Sequence, residues 1–183
     1  MKKLIPYELI ILLAIIWGVF VLDFVVFFFD FNSLGIRPRQ IFGLIGVPLS
    51  AFLHGGIMHI VLNSFALMIC GMILKISYSR DQMVMIIVLG ILMSGLLTWV
   101  ISSSGIVVGA SGLVYCFIGL LLANIYFNPS LLSWTQALLC LFFYSGALIA
   151  MFRVQHGISW AGHFSGLVAG IVLSLMMSKK RVK

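Results

Sequence analysis

The chain has 183 residues, of which 63% are hydrophobic and only 8% are charged. A soluble domain needs more polar surface than this composition provides, so it indicates a membrane protein that crosses the bilayer several times. The formal net charge of +7 does not indicate a nucleic-acid partner, because the basic residues fall at predicted loops and termini, where the preference for positive charge on the cytoplasmic side accounts for them.

Six apolar segments follow one another along the chain, and each approaches the roughly 20 residues that a helix needs to cross the hydrocarbon core. The first is not followed by a small-residue cleavage site, so we expect it to be retained as a helix. All four prolines fall outside the six segments. The sequence therefore predicts a single all-α membrane domain over residues 1–183, with helices at residues 9–29, 54–73, 83–101, 111–127, 131–152 and 160–178.

A long connector, residues 30–51, separates the first two segments. It contains Pro38 and Pro48 together with short hydrophobic patches such as Ile41-Phe42. Proline breaks it too often for it to span the bilayer, yet it is too apolar to lie free in water. We expect this first outer loop to lie partly embedded in the membrane interface.

The distribution of basic residues predicts the orientation of the six helices. With both termini in the cytoplasm, the outer loops carry only Arg37, Arg39 and Arg153. The remaining lysines and arginines then lie inside, as the positive-inside rule requires. This inner set consists of Lys2, Lys3, Lys75, Arg80, Lys179, Lys180, Arg181 and Lys183.

Four polar residues are predicted to lie at one depth in the membrane. At a rise of about 1.5 Å per residue, Ser111 lies about 25 Å from the inner end of its helix, His163 and His59 about 24 Å and Asn63 about 18 Å. The hydrocarbon core is roughly 30 Å thick, so all four fall in one layer below the outer surface. His59 and Asn63 are four residues apart and therefore share a helix face.

Ser111 stands in the run Gly109-Ala110-Ser111-Gly112 at the start of the fourth segment. A serine hydroxyl needs a base to become a nucleophile, and His163 is suited to that role. An acyl-transfer intermediate also needs hydrogen-bond donors for its oxyanion, for which His59, Asn63 and the first backbone N–H groups of this helix are candidates.

No acid is available to complete a catalytic triad. After Asp30 the only acidic residue is Asp81, in a predicted cytoplasmic loop. A catalytic site would therefore be a Ser–His dyad, and we expect Tyr115, four residues after Ser111, to orient the imidazole by stacking. Asp23 lies near the outer end of its helix, where a neighbouring group is expected to solvate it.

Glycines favour close contact between the fourth and sixth segments. A ridge of small residues lies beside His163 and consists of Gly162, Gly166 and Gly170. On the facing helix, Gly112 likewise has no side chain. Such spacing lets two membrane helices approach closely. The contact would bring Ser111 and His163 within reach of each other.

With these motifs in place, the sequence resembles the rhomboid intramembrane serine proteases. The match consists of G-A-S-G at 109–112, the H-x4-H-x3-N run formed by His54, His59 and Asn63, and G-H-x2-G-x3-G at 162–170. The stretch 34–39 is also similar to the first loop of many bacterial members. No further soluble domain is expected before the six helices, so the chain is similar to a minimal, bacterial-type member.

This resemblance implies a six-helix rhomboid-like bundle and a set of roles. It makes Ser111 the nucleophile and His163 the base, with His59 and Asn63 at the oxyanion and Tyr115 stacked on His163. The supporting positions are Gly109, Gly112 and His54, and His54 is expected to stabilise the loop rather than take part in the chemistry. His156, in the last outer loop, has no predicted partner.

The resemblance implies a serine endopeptidase of the cell membrane that cuts transmembrane proteins near their outer end, without a cofactor. A bacterial inner or plasma membrane is expected, and the oligomeric state is left open. The alternative is an inactive rhomboid-like protein that binds membrane helices. A zinc protease would need an H-E-x-x-H helix and an aspartyl protease two intramembrane carboxylates. The sequence has neither.

Overall fold

The structure, a computed structural model, describes residues 6–26, 28–103, 105–150 and 159–178. These residues form seven α-helices and three short 3₁₀ helices, and within them no β-strand occurs beyond one isolated bridge between Ile36 and Val107. The helices are α1 Tyr7–Val25, α2 Gly46–Leu49, α3 Ile57–Lys75, α4 Arg80–Ile101, α5 Ser111–Phe127, α6 Leu131–Ala150 and α7 Trp160–Met176.

Four of these helices are long and apolar enough to cross a membrane, namely α1, α3, α4 and the stretch Leu131–Ile149 of α6. Helices α5 and α7 are apolar but have only 17 residues each, or about 26 Å of length. The chain is therefore a nearly all-helical, multi-pass membrane protein. The arrangement of exactly six crossings stays a prediction.

Helices α5 and α7 form the tightly packed centre of the bundle. A side chain at Gly166 would collide with the carbonyl oxygen of Gly112, and one at Gly119 would collide with that of Leu167. Nine consecutive residues of α5, from Leu113 to Leu121, are buried. The predicted close approach of these two helices is confirmed, and it depends on the absence of Cβ atoms at their contact.

Helix α5 has the predicted ends, α7 ends at Met176 rather than at residue 178, and the predicted end of α6 at residue 152 lies outside the described residues. The largest differences are in α1, α3 and α4. Helix α1 ends at Val25 rather than at residue 29, because the Asp23 carboxylate accepts the backbone N–H of Phe31 and the amide of Asn32, which turns the chain back. Helix α3 begins at Ile57 rather than at residue 54, after two glycines. Helix α4 begins at Arg80 rather than at residue 83, because Ser79 and Gln82 form a capping box.

The first connector folds into short helical turns against α4. These are Phe31–Leu34, Ile41–Ile45, α2 and Ser50–Phe52. Ile41 and Phe42 point outward with 81% and 90% of their surface exposed, and the embedding of this connector in the membrane interface stays a prediction. The connector therefore links α1 to α3 while packing beside the turn that begins α5.

At the opposite end of the bundle, polar side chains join the helices. The Lys75 ammonium lies 2.6 Å from the Glu8 carboxylate, and both groups are mostly buried. The Asn124 side chain bonds to Tyr78 and Ser174, which connects the turn before α4, the end of α5 and the end of α7. These contacts hold the helix ends together far from Ser111.

Candidate active site

The turn that carries Ser111 depends on Gly109. Its φ of +117° lies in the region that side chains disfavour, and a Cβ there would come within 2.6 Å of the His59 ring. The Gly109 N–H donates to the Ser50 carbonyl oxygen at 2.8 Å. After this turn Ser111 is the first residue of α5, where the helix leaves backbone N–H groups without intrahelical acceptors.

His54 lies behind this turn and receives two hydrogen bonds on one ring nitrogen. Asn63 Nδ2 lies 3.1 Å from His54 Nε2, and the Ala110 N–H approaches the same atom at 3.4 Å. Because both partners are donors, Nε2 must be unprotonated and the proton of the neutral ring must sit on Nδ1. His54 thus connects the connector, α3 and the Ser111 turn.

Burial has a direct effect on the protonation of His54, which precedes α3. Only 3% of the residue is exposed, and desolvation, followed by repulsion from the neighbouring His59, lowers the pKa of His54 to about 4. The backbone of Phe52 opposes this shift with a smaller effect. The imidazole is therefore neutral at physiological pH, as its two donors require.

His59 lies between His54 and Gly109. Its ring meets the His54 ring edge to face, with centroids 5.1 Å apart. Its Cε1 and Nε2 atoms lie against Gly109. The structure thus brings His59 and Asn63 beside the Ser111 turn, while the Asn63 amide is engaged with His54.

On the other side of Ser111, the rings of Tyr115 and His163 stack. Their centroids are 4.2 Å apart and their planes differ by 15°. The Tyr115 hydroxyl donates to the Ala147 carbonyl oxygen on α6 at 2.7 Å, which restrains the tyrosine ring. The imidazole of His163 is therefore held flat against the ring of Tyr115, which lies one turn after Ser111 on α5.

Ser111 and His163 each adjoin the glycines at which α5 and α7 contact each other, but no hydrogen bond joins their side chains in the described part of the chain. His163 Nδ1 is buried and has no partner among those residues. Gly162, which precedes His163, lines the same cavity as Ser111. Catalytic hydrogen bonds often tighten only when substrate binds, so a dyad does not require this bond in the free protein.

A small cavity of about 20 Å³ adjoins Ser111. This volume holds about one water molecule. Ser50, Ser94 and Thr98 lie on its wall, and none of them was singled out from the sequence. Ser94 and Thr98 could have been recognised in the sequence as two hydroxyl residues four positions apart in an apolar segment. In the structure both hydroxyls also donate to carbonyl oxygens of their own helix.

The remaining candidates are Gly112, His156 and a possible metal site. Gly112 lines the cavity and contacts α7, as its spacing suggested, whereas His156 lies outside the described residues. Over the parts of the chain that the structure describes, no group of three histidine, cysteine or acidic residues is arranged to hold a metal ion.

Comparison with known proteins identifies the family. The family model of the Rhomboid domain matches residues 38–180. Uncharacterized proteins of Mycobacterium tuberculosis and Mycobacterium bovis are each 31% identical over 153 residues, which is 79% of this chain and 63% of theirs. An uncharacterized protein of Mycobacterium leprae is 26% identical over 157 residues, 80% of this chain and 61% of its own length.

The chain thus spans somewhat under two thirds of the length of the curated relatives that it matches. The match to the Rhomboid domain, by contrast, covers most of the chain, including the connector from residue 38 onward, the Ser111 turn and α7. On this evidence, the chain belongs to the rhomboid family.

Proposed function

We propose that the protein is an intramembrane serine endopeptidase that uses Ser111 and His163 as a catalytic dyad. The observation that carries the proposal is the packing of the Ser111 turn against α7, where the Tyr115 ring stacks on the His163 imidazole. This stack supplies the orientation that an acidic residue gives histidine in a triad. Membership of a family that consists mainly of intramembrane serine proteases supports the same conclusion.

The first chemical step is attack of Ser111 Oγ on the carbonyl carbon of the scissile peptide bond. As the new C–O bond forms, the serine proton passes to the His163 imidazole. The tetrahedral oxyanion is stabilised by the free N–H groups at the start of α5, with His59 and Asn63 beside them. The C–N bond then breaks, and the imidazolium donates its proton to the leaving amine.

Hydrolysis of the acyl-enzyme completes the reaction. A water molecule attacks the ester carbon while His163 accepts its proton, and the C–O bond to Ser111 breaks as that oxygen regains a proton. The cavity beside Ser111 is of a size to hold one water molecule. Its hydroxyl-bearing wall would keep that water close to the ester within an otherwise apolar bundle.

The proposed substrates are transmembrane segments of other membrane proteins. With both termini in the cytoplasm, Ser111 would lie below the outer surface, so cleavage would fall near the outer end of the substrate. This orientation is tested with a membrane-impermeant thiol reagent on single cysteines introduced at Arg37 and Lys183, in a variant whose native cysteines are replaced. Labelling of position 183 from outside intact cells would reverse the orientation.

The decisive experiment is active-site labelling by a fluorophosphonate in detergent-solubilised protein. Wild-type protein should be labelled at Ser111, and Ser111→Ala and His163→Ala should each abolish labelling and cleavage of a transmembrane substrate. Ser165→Ala, which removes a buried serine hydroxyl from α7, is the matched control and should be labelled normally. Unlabelled, inactive but well-folded wild-type protein would instead favour an inactive rhomboid-like protein that binds membrane helices.

A further inference from the structure

Arg39 has a backbone conformation that is unusual for its residue type. Its φ is +55°, and it is the one non-glycine residue with positive φ in the described part of the chain. Non-glycine residues adopt this region rarely, and such outliers persist where surrounding contacts impose them. The residue lies in the connector between α1 and α3, within the stretch 34–39 that resembles the first loop of many bacterial members, and the proposed mechanism gives it no role.

The contacts that hold Arg39 come from the last turn of α4 and the two residues that follow it. Its guanidinium donates to the carbonyl oxygens of Val100 at 3.0 Å, Ser102 at 2.5 Å and Ser103 at 3.0 Å. Its backbone N–H donates to the Trp99 carbonyl oxygen at 3.1 Å. A helix ends with unpaired carbonyls and a partial negative charge, so a cation from another segment is a favourable cap there.

The capped end of α4 leads directly to the turn that carries Ser111. The Trp99 indole donates back to the connector, at the Gln40 carbonyl oxygen. Farther along, Ile36 and Val107 exchange two backbone hydrogen bonds of 2.9 Å each. The connector is therefore hydrogen-bonded at both ends of the short link between α4 and α5, residues 102–110. Arg39 donates most of the bonds at the α4 end.

We infer that Arg39 is a positioning residue for Ser111. Its guanidinium fixes the end of α4, so that the following link enters α5 with Ser111 facing His163. The left-handed backbone conformation of Arg39 directs its side chain towards those carbonyl oxygens. The inference rests on the proposed serine-protease function for its catalytic readout, while the position of the link itself can be measured without catalysis.

The neighbouring Arg37 provides a matched control. Among the residues that the structure describes, its guanidinium donates only to the Ser33 carbonyl oxygen at 3.4 Å, within the connector itself. Removal of Arg37 deletes the same charge from the same loop but leaves the cap on α4 intact. Arg39→Gly removes the guanidinium and also relieves the backbone, because glycine readily adopts positive φ.

The test compares the rate of fluorophosphonate labelling at Ser111 in wild type, Arg39→Gly, Arg39→Lys and Arg37→Ala, well below each unfolding temperature. We expect Arg39→Gly to label about 10- to 100-fold more slowly, since small misplacements of a catalytic group cost up to about 10²-fold. Arg39→Lys keeps the charge with fewer donors and should recover part of the rate. Arg37→Ala should label like wild type.

Hydrogen exchange of backbone amides in residues 105–110 gives a second readout that needs no activity. We expect faster exchange in Arg39→Gly than in Arg37→Ala, including at Val107 and Gly109, whose N–H groups bond to the connector. A lower unfolding temperature with unchanged labelling and unchanged exchange would make Arg39 a stabilising residue only and would overturn the inference.

The two proposals fail in different ways. If folded wild-type protein is not labelled at all, the protease function fails, and exchange at residues 105–110 still decides whether Arg39 positions the link. If wild type is labelled and Arg39→Gly is labelled equally fast, the positioning role fails while the protease function stands.

Discussion

The side-chain amide of Asn63 lies 3.1 Å from His54 Nε2, the same atom that receives the Ala110 N–H. Asn63 is thus both a neighbour of the Ser111 turn and a partner of the histidine that supports that turn. It can act as an oxyanion donor itself, or it can act by holding His54. The two roles predict different results when both residues are changed.

The first prediction is that Asn63→Ala lowers kcat about 10- to 100-fold, near the lower end of the effect of a single oxyanion donor. The measurement is kcat for a transmembrane substrate in wild type, Asn63→Ala, His54→Ala and the double variant, with the unfolding temperature of each. A direct donor predicts that Asn63→Ala still lowers kcat in the His54→Ala background. If the second change has no further effect, Asn63 acts only through His54.

The second prediction concerns the pH dependence of stability. Folding lowers the pKa of His54 from 6.5 to about 4, so the unfolded chain binds the proton more tightly. The contribution of neutral His54 is therefore fully present above pH 6.5 and is lost as pH falls towards 4. His54→Gln keeps an acceptor but does not titrate, and its unfolding temperature should vary less over this range. Equal pH dependence in the two proteins would exclude His54 as the cause.

The third prediction separates the Tyr115 ring from its hydroxyl. Tyr115→Phe keeps the stack on His163 and loses only the bond to Ala147, so we expect nearly normal labelling of Ser111. Tyr115→Leu removes the stack, which is worth about 0.5–1.5 kcal/mol for an aromatic pair, and should slow labelling roughly 3- to 10-fold. A slow Tyr115→Phe variant would show that the bond to α6, rather than the ring, orients the histidine.

The fourth prediction tests the contact between α5 and α7. In Gly166→Ala the new methyl group would collide with the Gly112 carbonyl oxygen, and such overpacking costs about 1–3 kcal/mol. The unfolding temperature should fall, and labelling of Ser111 should fall with it because the helices move apart. Gly146→Ala on α6 is the control, since a Cβ there meets no heavy atom of the described residues within 4 Å. An equal effect of both changes would exclude the helix contact as the reason.

The fifth prediction is that activity does not depend on a metal ion. The proposed steps require only the Ser111 hydroxyl, the His163 imidazole and hydrogen-bond donors, so treatment with a chelator should leave the rate of substrate cleavage unchanged. Rates are compared before and after dialysis against EDTA, and again after addition of zinc. A rate that EDTA lowers and zinc restores would contradict the dyad mechanism.

Much of the local structure follows from the sequence alone. Helical rise and periodicity are local properties, so they predict the shared depth of Ser111 and His163, and the position of Tyr115 one turn after Ser111. The glycines of α7 indicate a close helix contact for the same reason, because the spacing of small residues along one helix determines which face is thin. These predictions do not depend on where the other helices lie.

The tertiary structure determined the contacts between residues of different segments. The pairing of Asn63 with His54, the cavity wall formed by Ser50, Ser94 and Thr98, and the cap that Arg39 places on α4 join residues that are remote along the chain or belong to different segments. A hydrogen bond of this kind depends on how two segments are placed in space, and side-chain type and spacing within one segment do not encode that placement. The sequence therefore supplied the chemical groups of the candidate site, and the packing of α4, α5 and α7 with the connector determined their partners.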